Sequence, residues 1–273
     1  MSPQRQKILM CAPDYFGVDY VINPWMQNQI GKADAPLAMR QWLGLRDALA
    51  PHAELVFEPP QRGVPDLVFT ANAGLVLDNQ VIVSRFRSTE RQAEEPYLRD
   101  WFTQHHFILM DWPPSISFEG AGDALLDRAV DIIWAGHGFR SDAAAPALIE
   151  KTLGQRVIAL KLVDPRFYHL DTCFCPLADG WLLYFPPAFD AAAQAAIAAH
   201  VPEAKRIAVS EADALRFACN ALDLDGKIFM NDASTELQDR LRQAGFTAVL
   251  TPLSEFLKAG GGAKCLTLKL VEE

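Results

Sequence analysis

The residues that could do chemistry begin near the end of the chain, where three glycines lead into a single cysteine. Residues 260–262 are the glycines, and Cys265 opens an apolar, strand-like run over residues 265–271. Glycine lacks a Cβ atom, so the backbone can turn tightly here and approach a ligand closely. As a thiolate, cysteine is the most nucleophilic side chain. A buried structural cysteine is the more common interpretation of such a residue taken alone.

Two further residues could assist a thiolate. His169 precedes the third apolar hairpin pattern of the chain, and Glu119 precedes the second. A histidine can act as general acid and base near neutral pH, and a carboxylate can orient the imidazole and stabilise its charge. Taken singly, His169 is more simply a hydrogen-bonded structural residue and Glu119 a turn acid. A catalytic role therefore requires that the fold bring them together.

Composition restricts the class of protein. The chain has 273 residues, is 50% hydrophobic and carries a formal net charge of −9. We predict a single catalytic domain over residues 1–273. Nucleic-acid-binding surfaces are usually basic, and no apolar run reaches the roughly 18 residues of a membrane span. We therefore expect a small-molecule substrate and neither nucleic acid nor membrane as partner.

The cysteines and the first residues predict the compartment. Five cysteines is an odd number, and Cys173 and Cys175 are too close together for a metal-knuckle spacing. Residues 1–7 lack the apolar core of a signal peptide. We expect a reduced, cytoplasmic protein without a metal or a cofactor. A homo-oligomer is compatible with the sequence.

A repeated unit positions the candidate residues. Four apolar hairpin patterns carry a turn acid at intervals of roughly fifty residues, a period typical of propellers and related arrays. The turn acids are Asp78, Asp127, Asp179 and Asp225. A helix-like segment follows each hairpin, at residues 89–103, 143–152, 188–200 and 234–243. A further strand follows each helix, at residues 107–110, 156–161, 206–209 and 247–251. A fifth unit would join the tail strand to the strand at residues 7–12.

Five such units predict a closed, radial α/β propeller with helices on the outside. An open α/β sheet is the alternative, but tandem hairpins argue against it because strictly parallel strands need crossovers. The candidates occupy equivalent positions before successive hairpins: Asn72, Glu119, His169 with Asp171, Cys219 with Asn220, and Cys265. Equivalent positions of a radial array converge on its axis.

The long loop at residues 14–29 is predicted to be a lid or binding loop. Residues 36–49 are predicted to form an amphipathic helix.

Four motifs together carry a resemblance to a known family. They lie at residues 65–72, 118–123, 169–171 and 260–265. They resemble the guanidino-group-modifying superfamily, the penteins, which includes arginine deiminase, dimethylarginine dimethylaminohydrolase, arginine dihydrolase and the amidinotransferases. The resemblance runs from the first strand to the tail and implies a five-bladed pseudosymmetric α/β propeller. It also implies that Cys265, His169 and Glu119 are the catalytic residues.

The same resemblance implies the substrate-binding residues. Arg91 and Arg140 would bind the substrate carboxylate, for which the planar guanidinium fork is suited, and Arg85 or Arg87 could take the place of Arg91. Two acids, Asp66 and Asp171, would hold the guanidinium. Asn23, in the long loop, would contact the amino-acid end of the substrate.

Two positions depart from the family pattern. Lys264 stands where many members have histidine before the nucleophile, and Asn72 stands where deiminases and dimethylarginine hydrolases typically have aspartate. An amide both donates and accepts hydrogen bonds, so Asn72 could retain a neutral ureido group for a second attack. The resemblance therefore implies an arginine dihydrolase that forms ornithine, ammonia and carbon dioxide. The alternatives are a dimethylarginine dimethylaminohydrolase or an arginine deiminase that ends at citrulline, and a non-catalytic pentein-fold factor that binds ribosomes.

Overall fold

The strands of residues 6–271 form five separate sheets. The computed structural model describes residues 6–271, so most of the polar start at residues 1–7 lies outside it, as do residues 272–273. Each sheet has three strands. The strands are β1 (Lys7–Cys11), β2 (Glu54–Glu58), β3 (Gly74–Leu77), β4 (Gln80–Val83), β5 (Ile108–Leu109), β6 (Ala124–Leu126), β7 (Ile132–His137), β8 (Arg156–Lys161), β9 (Phe174–Leu177), β10 (Trp181–Tyr184), β11 (Arg206–Ala208), β12 (Leu222–Leu224), β13 (Lys227–Met230), β14 (Thr247–Leu250) and β15 (Leu268–Val271).

All five sheets share one internal order, in which an antiparallel pair is extended by a parallel strand. In the second sheet, β3 runs antiparallel to β4 with Gly74 opposite Val83, and β4 runs parallel to β5. The first sheet combines both ends of the chain, because β1 pairs antiparallel with β15 and parallel with β2. This arrangement confirms the predicted five-unit α/β propeller and its fifth unit made from tail and start.

The α-helices of residues 6–271 are α1 (Ala35–Leu49), α2 (Thr89–Gln92), α3 (Glu95–Gln104), α4 (Ala145–Leu153), α5 (Ala191–His200), α6 (Glu211–Ala214), α7 (Thr235–Gln243) and α8 (Ser254–Leu257). Helices α1 to α5 and α7 connect the antiparallel pair of each sheet to its parallel strand, as a parallel pair requires. The short helices α6 and α8 instead follow a parallel strand and precede the first strand of the next unit. Within residues 6–271, no helix combines the length and the apolar character needed to cross a bilayer. Apolar side chains between the helices and the sheets form the buried core.

The helix boundaries follow from local chemistry. The carboxylate of Asp34 accepts a hydrogen bond from the backbone N–H of Leu37 and so caps α1, which begins one residue before the predicted position. The predicted helix at residues 89–103 is wrong as a single element, since it divides into α2 and α3. Pro96 lies in the first turn of α3 and lacks the N–H that a continuous helix needs.

The repeated turn acids mark the hairpins for a backbone reason. Asp78, Asp179 and Asp225 have positive φ angles of 54°, 56° and 53°, a conformation that aspartate tolerates in tight turns. Asp127 differs, because its hairpin turn is longer and its carboxylate accepts bonds from the backbone N–H of Ala129 and Val130. The repeated acids therefore mark the same backbone conformation in three of the four hairpin turns.

The tail strand is shorter than expected. The sequence predicts a strand over residues 265–271, but β15 begins at Leu268. Cys265 lies in the preceding turn, where the N–H of Leu266 bonds to the carbonyl of Gly262 and that of Thr267 to the carbonyl of Lys264. The prediction that Cys265 opens the strand is therefore wrong. The turn gives Cys265 the same place before its strand that the candidate residues of the other units have.

Candidate active site

Short turns before the strands carry the predicted residues to the centre of the propeller. Asn72 lies in the turn Thr70–Ala73, and Glu119 immediately precedes the turn Gly120–Gly122. His169 immediately precedes the turn Leu170–Thr172, which contains Asp171. Because each turn occupies the same place in its unit, the fold brings these side chains to a common axis.

A ring of hydrogen bonds connects the turns of neighbouring units. Asn72 Nδ2 donates to the carbonyl of Glu119 (3.0 Å), and the N–H of Leu170 donates to Asp123 Oδ1 (3.0 Å). Asn220 Nδ2 donates to the carbonyl of Asp171 (3.1 Å), and its Oδ1 accepts from the N–H of Cys265 (3.1 Å). The N–H of Ala71 donates to the carbonyl of Cys265 (3.1 Å). Each bond joins one unit to the next, and the last returns to the first. The ring fixes the positions of the predicted catalytic residues relative to one another.

An acid–histidine pair lies on one side of the axis. His169 Nε2 is 2.7 Å from Glu119 Oε2, and Arg140 Nη1 is 3.0 Å from the same oxygen. Burial opposes ionisation of Glu119, but Arg140 and the hydrogen bond to His169 outweigh it, so the pKa of Glu119 lies well below its usual range. Glu119 is therefore a carboxylate at neutral pH and can orient the imidazole. The ring of His169 lies 4.8 Å from that of Tyr168, which together with Cys265 lines a small buried cavity.

The thiol of Cys265 lies between an amide and an acid. Asn220 Nδ2 is 3.1 Å from Sγ, and the two carboxylate oxygens of Asp171 are 3.6 and 3.8 Å from it. Burial, and next the charge of Asp171, raise the pKa of Cys265 well above its usual value. Burial also raises the pKa of Asp171 to about 7, although Lys264 opposes the shift. The free protein thus holds a neutral thiol, and a bound cation would favour its ionisation.

The amide of Asn72 has one fixed orientation. Its Oδ1 accepts a hydrogen bond from Arg91 Nη1 (2.9 Å), while its Nδ2 donates to the carbonyl of Glu119. A Cβ atom on Gly122 would lie 2.2 Å from Nδ2, so only glycine at that position leaves room for the amide. An amide has two donor hydrogens and two acceptor lone pairs. One of each therefore remains for a ligand in the cavity that Asn72 lines.

Both predicted carboxylate-binding arginines line this cavity, but they are bound differently. Arg91 forms a bidentate pair with Glu94 and also bonds to Asn72 and to the carbonyl of Asp66. These bonds use all but one of the five N–H donors of its guanidinium. Arg140 bonds only to Glu119 and to the carbonyl of Ile22 among the described residues, and its guanidinium stacks on Tyr168. Arg140 consequently keeps more donors for a ligand.

The alternatives to Arg91 are placed elsewhere. Arg85 pairs with Glu95, and Arg87 pairs with Asp142, both as part-exposed ion pairs. The side chain of Arg91 is 4% exposed. The structure therefore places Arg91, rather than either neighbour, at the cavity.

The two acids grouped by the sequence as guanidinium ligands have different surroundings. Asp66 Oδ2 accepts a bond from the hydroxyl of Tyr20 (3.0 Å) and lies 4.0 Å from Arg91 Nε. Its Oδ1 has no hydrogen-bond partner within residues 6–271. Burial raises the pKa of Asp66. Asp66 thus belongs to the end of the cavity that holds the arginines, whereas Asp171 lies against the thiol of Cys265.

The predicted lid or binding loop covers the cavity. Asn23 donates from Nδ2 to the carbonyl of Ala259 and accepts at Oδ1 from the N–H of Trp25, whose indole N–H bonds to the carbonyl of Arg166. The cavity that the loop and Cys265 enclose is about 10 Å³, room for roughly one water molecule. A ligand the size of an amino acid therefore requires the loop or nearby side chains to move.

Sequence reasoning missed several residues of the site. The repeat pattern gives Asn220 a position but no role, and no motif singles out Tyr20. Glu94 lies three residues after Arg91, a helical spacing at which opposite charges meet, so the sequence could have predicted this ion pair.

Within residues 6–271, no group of three or more His, Cys, Asp or Glu side chains has metal-binding geometry.

The fold and this constellation define a class of protein, the penteins with a buried cysteine and an acid–histidine pair. A family model described as eukaryotic N,N dimethylarginine dimethylhydrolase matches residues 52–272. The chain therefore belongs to the dimethylarginine dimethylaminohydrolase family. The dimethylarginine dimethylaminohydrolase of Mycobacterium tuberculosis is 38% identical over 275 residues, which cover 98% of this chain and 87% of that protein.

Two cyanobacterial relatives are more similar. The bifunctional arginine dihydrolase/ornithine cyclodeaminase AgrE of Nostoc sp. is 52% identical over 268 residues, which cover 98% of this chain. The chain spans only 38% of the length of AgrE. The N-terminal domain of ArgZ, an arginine dihydrolase, has been solved as a cysteine-to-serine variant bound to substrate. It matches with a TM-score of 0.97 and 51% identity over 98% of both chains.

Proposed function

We propose that this chain is an arginine dihydrolase, which converts L-arginine and two water molecules to ornithine, two ammonia molecules and carbon dioxide. The observation that carries the proposal is the amide of Asn72, held by Arg91 and Glu119 at the cavity that contains Cys265. The similarity of this chain to AgrE and ArgZ supports the same reaction.

The charges around the cavity suit a free amino acid with a guanidinium side chain. The substrate carboxylate binds to the unused N–H donors of Arg140 and Arg91. The α-ammonium binds near Asp66, whose Oδ1 has no other partner within residues 6–271. The guanidinium then extends to Asp171 and Cys265. Agmatine lacks the carboxylate, so its kcat/KM should be at least about 100-fold below that of arginine, the loss expected for an unpaired charged site.

The first half of the reaction releases one ammonia molecule. The guanidinium lies beside the Cys265 thiol and favours its ionisation, and the thiol proton passes to His169. The thiolate then attacks the guanidinium carbon. His169 gives a proton to the departing nitrogen, so ammonia leaves and an S-alkylthiouronium remains on Cys265. His169 then removes a proton from water, which attacks the same carbon. The C–S bond breaks, and a neutral ureido group is formed.

The second half depends on retention of this ureido product. Asn72 can donate one hydrogen bond to the ureido oxygen and accept one from its NH₂ group. Cys265 attacks the ureido carbon, His169 gives a proton to the departing NH₂ group, and the second ammonia leaves as a thiocarbamate forms on Cys265. Water then hydrolyses the resulting thiocarbamate and regenerates the thiol. The carbamate of ornithine that is formed decomposes to ornithine and carbon dioxide.

Hydrolysis of dimethylarginine is the second candidate function, because the chain belongs to the dimethylarginine dimethylaminohydrolase family. The two candidates differ in their leaving groups and end products. Dimethylarginine would release dimethylamine and stop at citrulline. The amide at Asn72 favours arginine, because it offers both a donor and an acceptor to the ureido group that the second hydrolysis needs.

The test is a product assay with arginine, dimethylarginine, citrulline and agmatine as separate substrates. We expect ornithine and two ammonia molecules per arginine consumed, and no turnover by Cys265→Ser. Cys11→Ser is the matched control, because Cys11 is also buried but lies in β1. Activity of Cys265→Ser close to that of the wild type would contradict the proposal. Consumption of dimethylarginine in preference to arginine would support the second candidate.

A further inference from the structure

The carboxamide of Asn220 makes three hydrogen bonds around the nucleophile. Its Oδ1 accepts from the backbone N–H of Cys265 (3.1 Å), and its Nδ2 donates to the carbonyl of Asp171 (3.1 Å). The same Nδ2 lies 3.1 Å from Cys265 Sγ. Asn220 is fully buried. One side chain therefore contacts both the backbone and the sulfur of the cysteine.

The orientation of this amide follows from its backbone partners. A backbone N–H can only donate and a carbonyl oxygen can only accept, so Oδ1 must face Cys265 N and Nδ2 must face the carbonyl of Asp171. The second hydrogen of Nδ2 is then directed at Sγ, and the sulfur is the acceptor. A hydrogen bond donated to sulfur is stronger when the sulfur is a thiolate.

We infer that Asn220 is a positioning residue that holds Cys265 in its turn and stabilises its thiolate. The inference rests on the proposed function only in taking Cys265 as the nucleophile. Asn220 contributes an uncharged donor at 3.1 Å from Sγ, while the carboxylate of Asp171, at 3.6 Å, opposes ionisation of the thiol. A Cβ atom on Gly262 would lie 2.9 Å from Asn220 Oδ1, so the last glycine of the tail permits the close approach of the amide.

Two other titratable groups influence the thiol. The negative charge of Asp171 disfavours the thiolate of Cys265, and the positive charge of Lys264 favours it. Asn220 differs from Lys264 because it touches the sulfur directly and has no pH dependence of its own. A role limited to the ring of hydrogen bonds between units would affect folding without changing the reactivity of the thiol.

The experiment measures alkylation of Cys265 by iodoacetamide between pH 6 and 9, followed by peptide mass spectrometry. Asn220→Asp keeps the size and one acceptor oxygen but replaces the donor by an acid. We expect the alkylation rate at a given pH to fall about tenfold, as for the loss of one hydrogen bond to a charged group. Asn220→Ala is the second variant and should show a reduction of the same order, about tenfold.

Asn231→Asp and Asn231→Ala are the matched controls. Asn231 is buried, donates to the carbonyl of Arg216 and accepts from the N–H of Leu253, but it does not contact the thiol. The controls should lose thermal stability without a change in the pH profile of alkylation. Folded Asn220 variants alkylated as fast as the wild type and the controls would overturn the inference. Alkylation reads the thiol directly, so this result is independent of which substrate the enzyme hydrolyses.

Discussion

Glu119 Oε2 lies 2.7 Å from His169 Nε2 and 3.0 Å from Arg140 Nη1, so one carboxylate oxygen joins the proposed general acid–base to an arginine of the substrate cavity. Glu119 is fully buried. A buried carboxylate is costly unless it is paired, and these two partners supply the pairing. Glu119 therefore couples the orientation of the imidazole to the end of the cavity where the substrate carboxylate is expected.

Replacing Glu119 by glutamine should reduce kcat by about 10²- to 10⁴-fold, because an amide holds the imidazole in a different tautomer and cannot stabilise its charge. The measurement is steady-state ammonia release, with the fold checked by circular dichroism. Glu255→Gln is the control, since Glu255 is a buried acid paired with Lys258 away from the cavity. A Glu119→Gln enzyme with more than half the wild-type kcat would remove Glu119 from the mechanism.

The acid beside the nucleophile predicts a pH dependence of stability. Burial raises the pKa of Asp171 to about 7 in the folded protein, from 3.8. The folded state thus holds this proton more tightly than the unfolded state, so ionising Asp171 costs stability as the pH rises from about 4 through 7. Asp171→Asn removes the effect.

The unfolding free energy of Asp171→Asn, relative to that of the wild type, should therefore rise by about 2.5 kcal/mol from pH 5 to pH 8. Urea titrations of both proteins at the two pH values give this difference. The same ionisation is needed to hold the guanidinium, so wild-type kcat/KM should fall about tenfold per unit below pH 7. A stability difference that is the same at both pH values would show that Asp171 does not titrate in this range.

The ion pair of Arg91 and Glu94 predicts a large effect on stability. Both side chains are buried, and the pair is bidentate, with distances of 2.7 and 2.8 Å. Arg91→Ala leaves the Glu94 carboxylate buried without its cation, which should cost about 3–5 kcal/mol. Arg87→Ala is the control, because the pair of Arg87 with Asp142 is part-exposed and should contribute less than about 1 kcal/mol.

Adding Glu94→Gln to Arg91→Ala should restore part of the lost stability, because it removes the unpaired charge. Urea unfolding of the single and double variants measures the coupling between the two residues. Equal stability losses for Arg91→Ala and Arg87→Ala would be inconsistent with the buried pair.

The repeat pattern predicted the fold because each unit carries its own local signals. The turn acids Asp78, Asp179 and Asp225 adopt the left-handed conformation that hairpins need, and the positions before each hairpin converge as a propeller requires. The hydrogen bonds between units were not predictable, because they depend on side-chain rotamers of residues nearly fifty positions apart. Asn220 is the main example, since nothing in its neighbourhood in the sequence indicates a contact with Cys265. The start of β15 was placed too early because an apolar run does not reveal where a turn ends.

We expect the amide of Asn72 to determine which product the enzyme releases. Its Nδ2 donates to the carbonyl of Glu119, and its Oδ1 accepts from Arg91. Asn72→Asp keeps the bond to Arg91 but places a carboxylate oxygen against the carbonyl of Glu119, where only a donor fits. The variant also loses the donor that we propose for the ureido oxygen. Citrulline should then leave before the second attack.

We expect Asn72→Asp to release mainly citrulline and one ammonia per arginine, with ornithine formation reduced about 100-fold, the discrimination typical of a site that loses a buried polar contact. Chromatography of the amino acids formed in a single incubation resolves the two products. Asn231→Asp, the same substitution at a buried asparagine outside the cavity, should leave ornithine as the main product. If Asn72→Asp still converts arginine to ornithine without free citrulline, the amide does not retain the intermediate. The second hydrolysis must then depend on the remaining residues around Cys265.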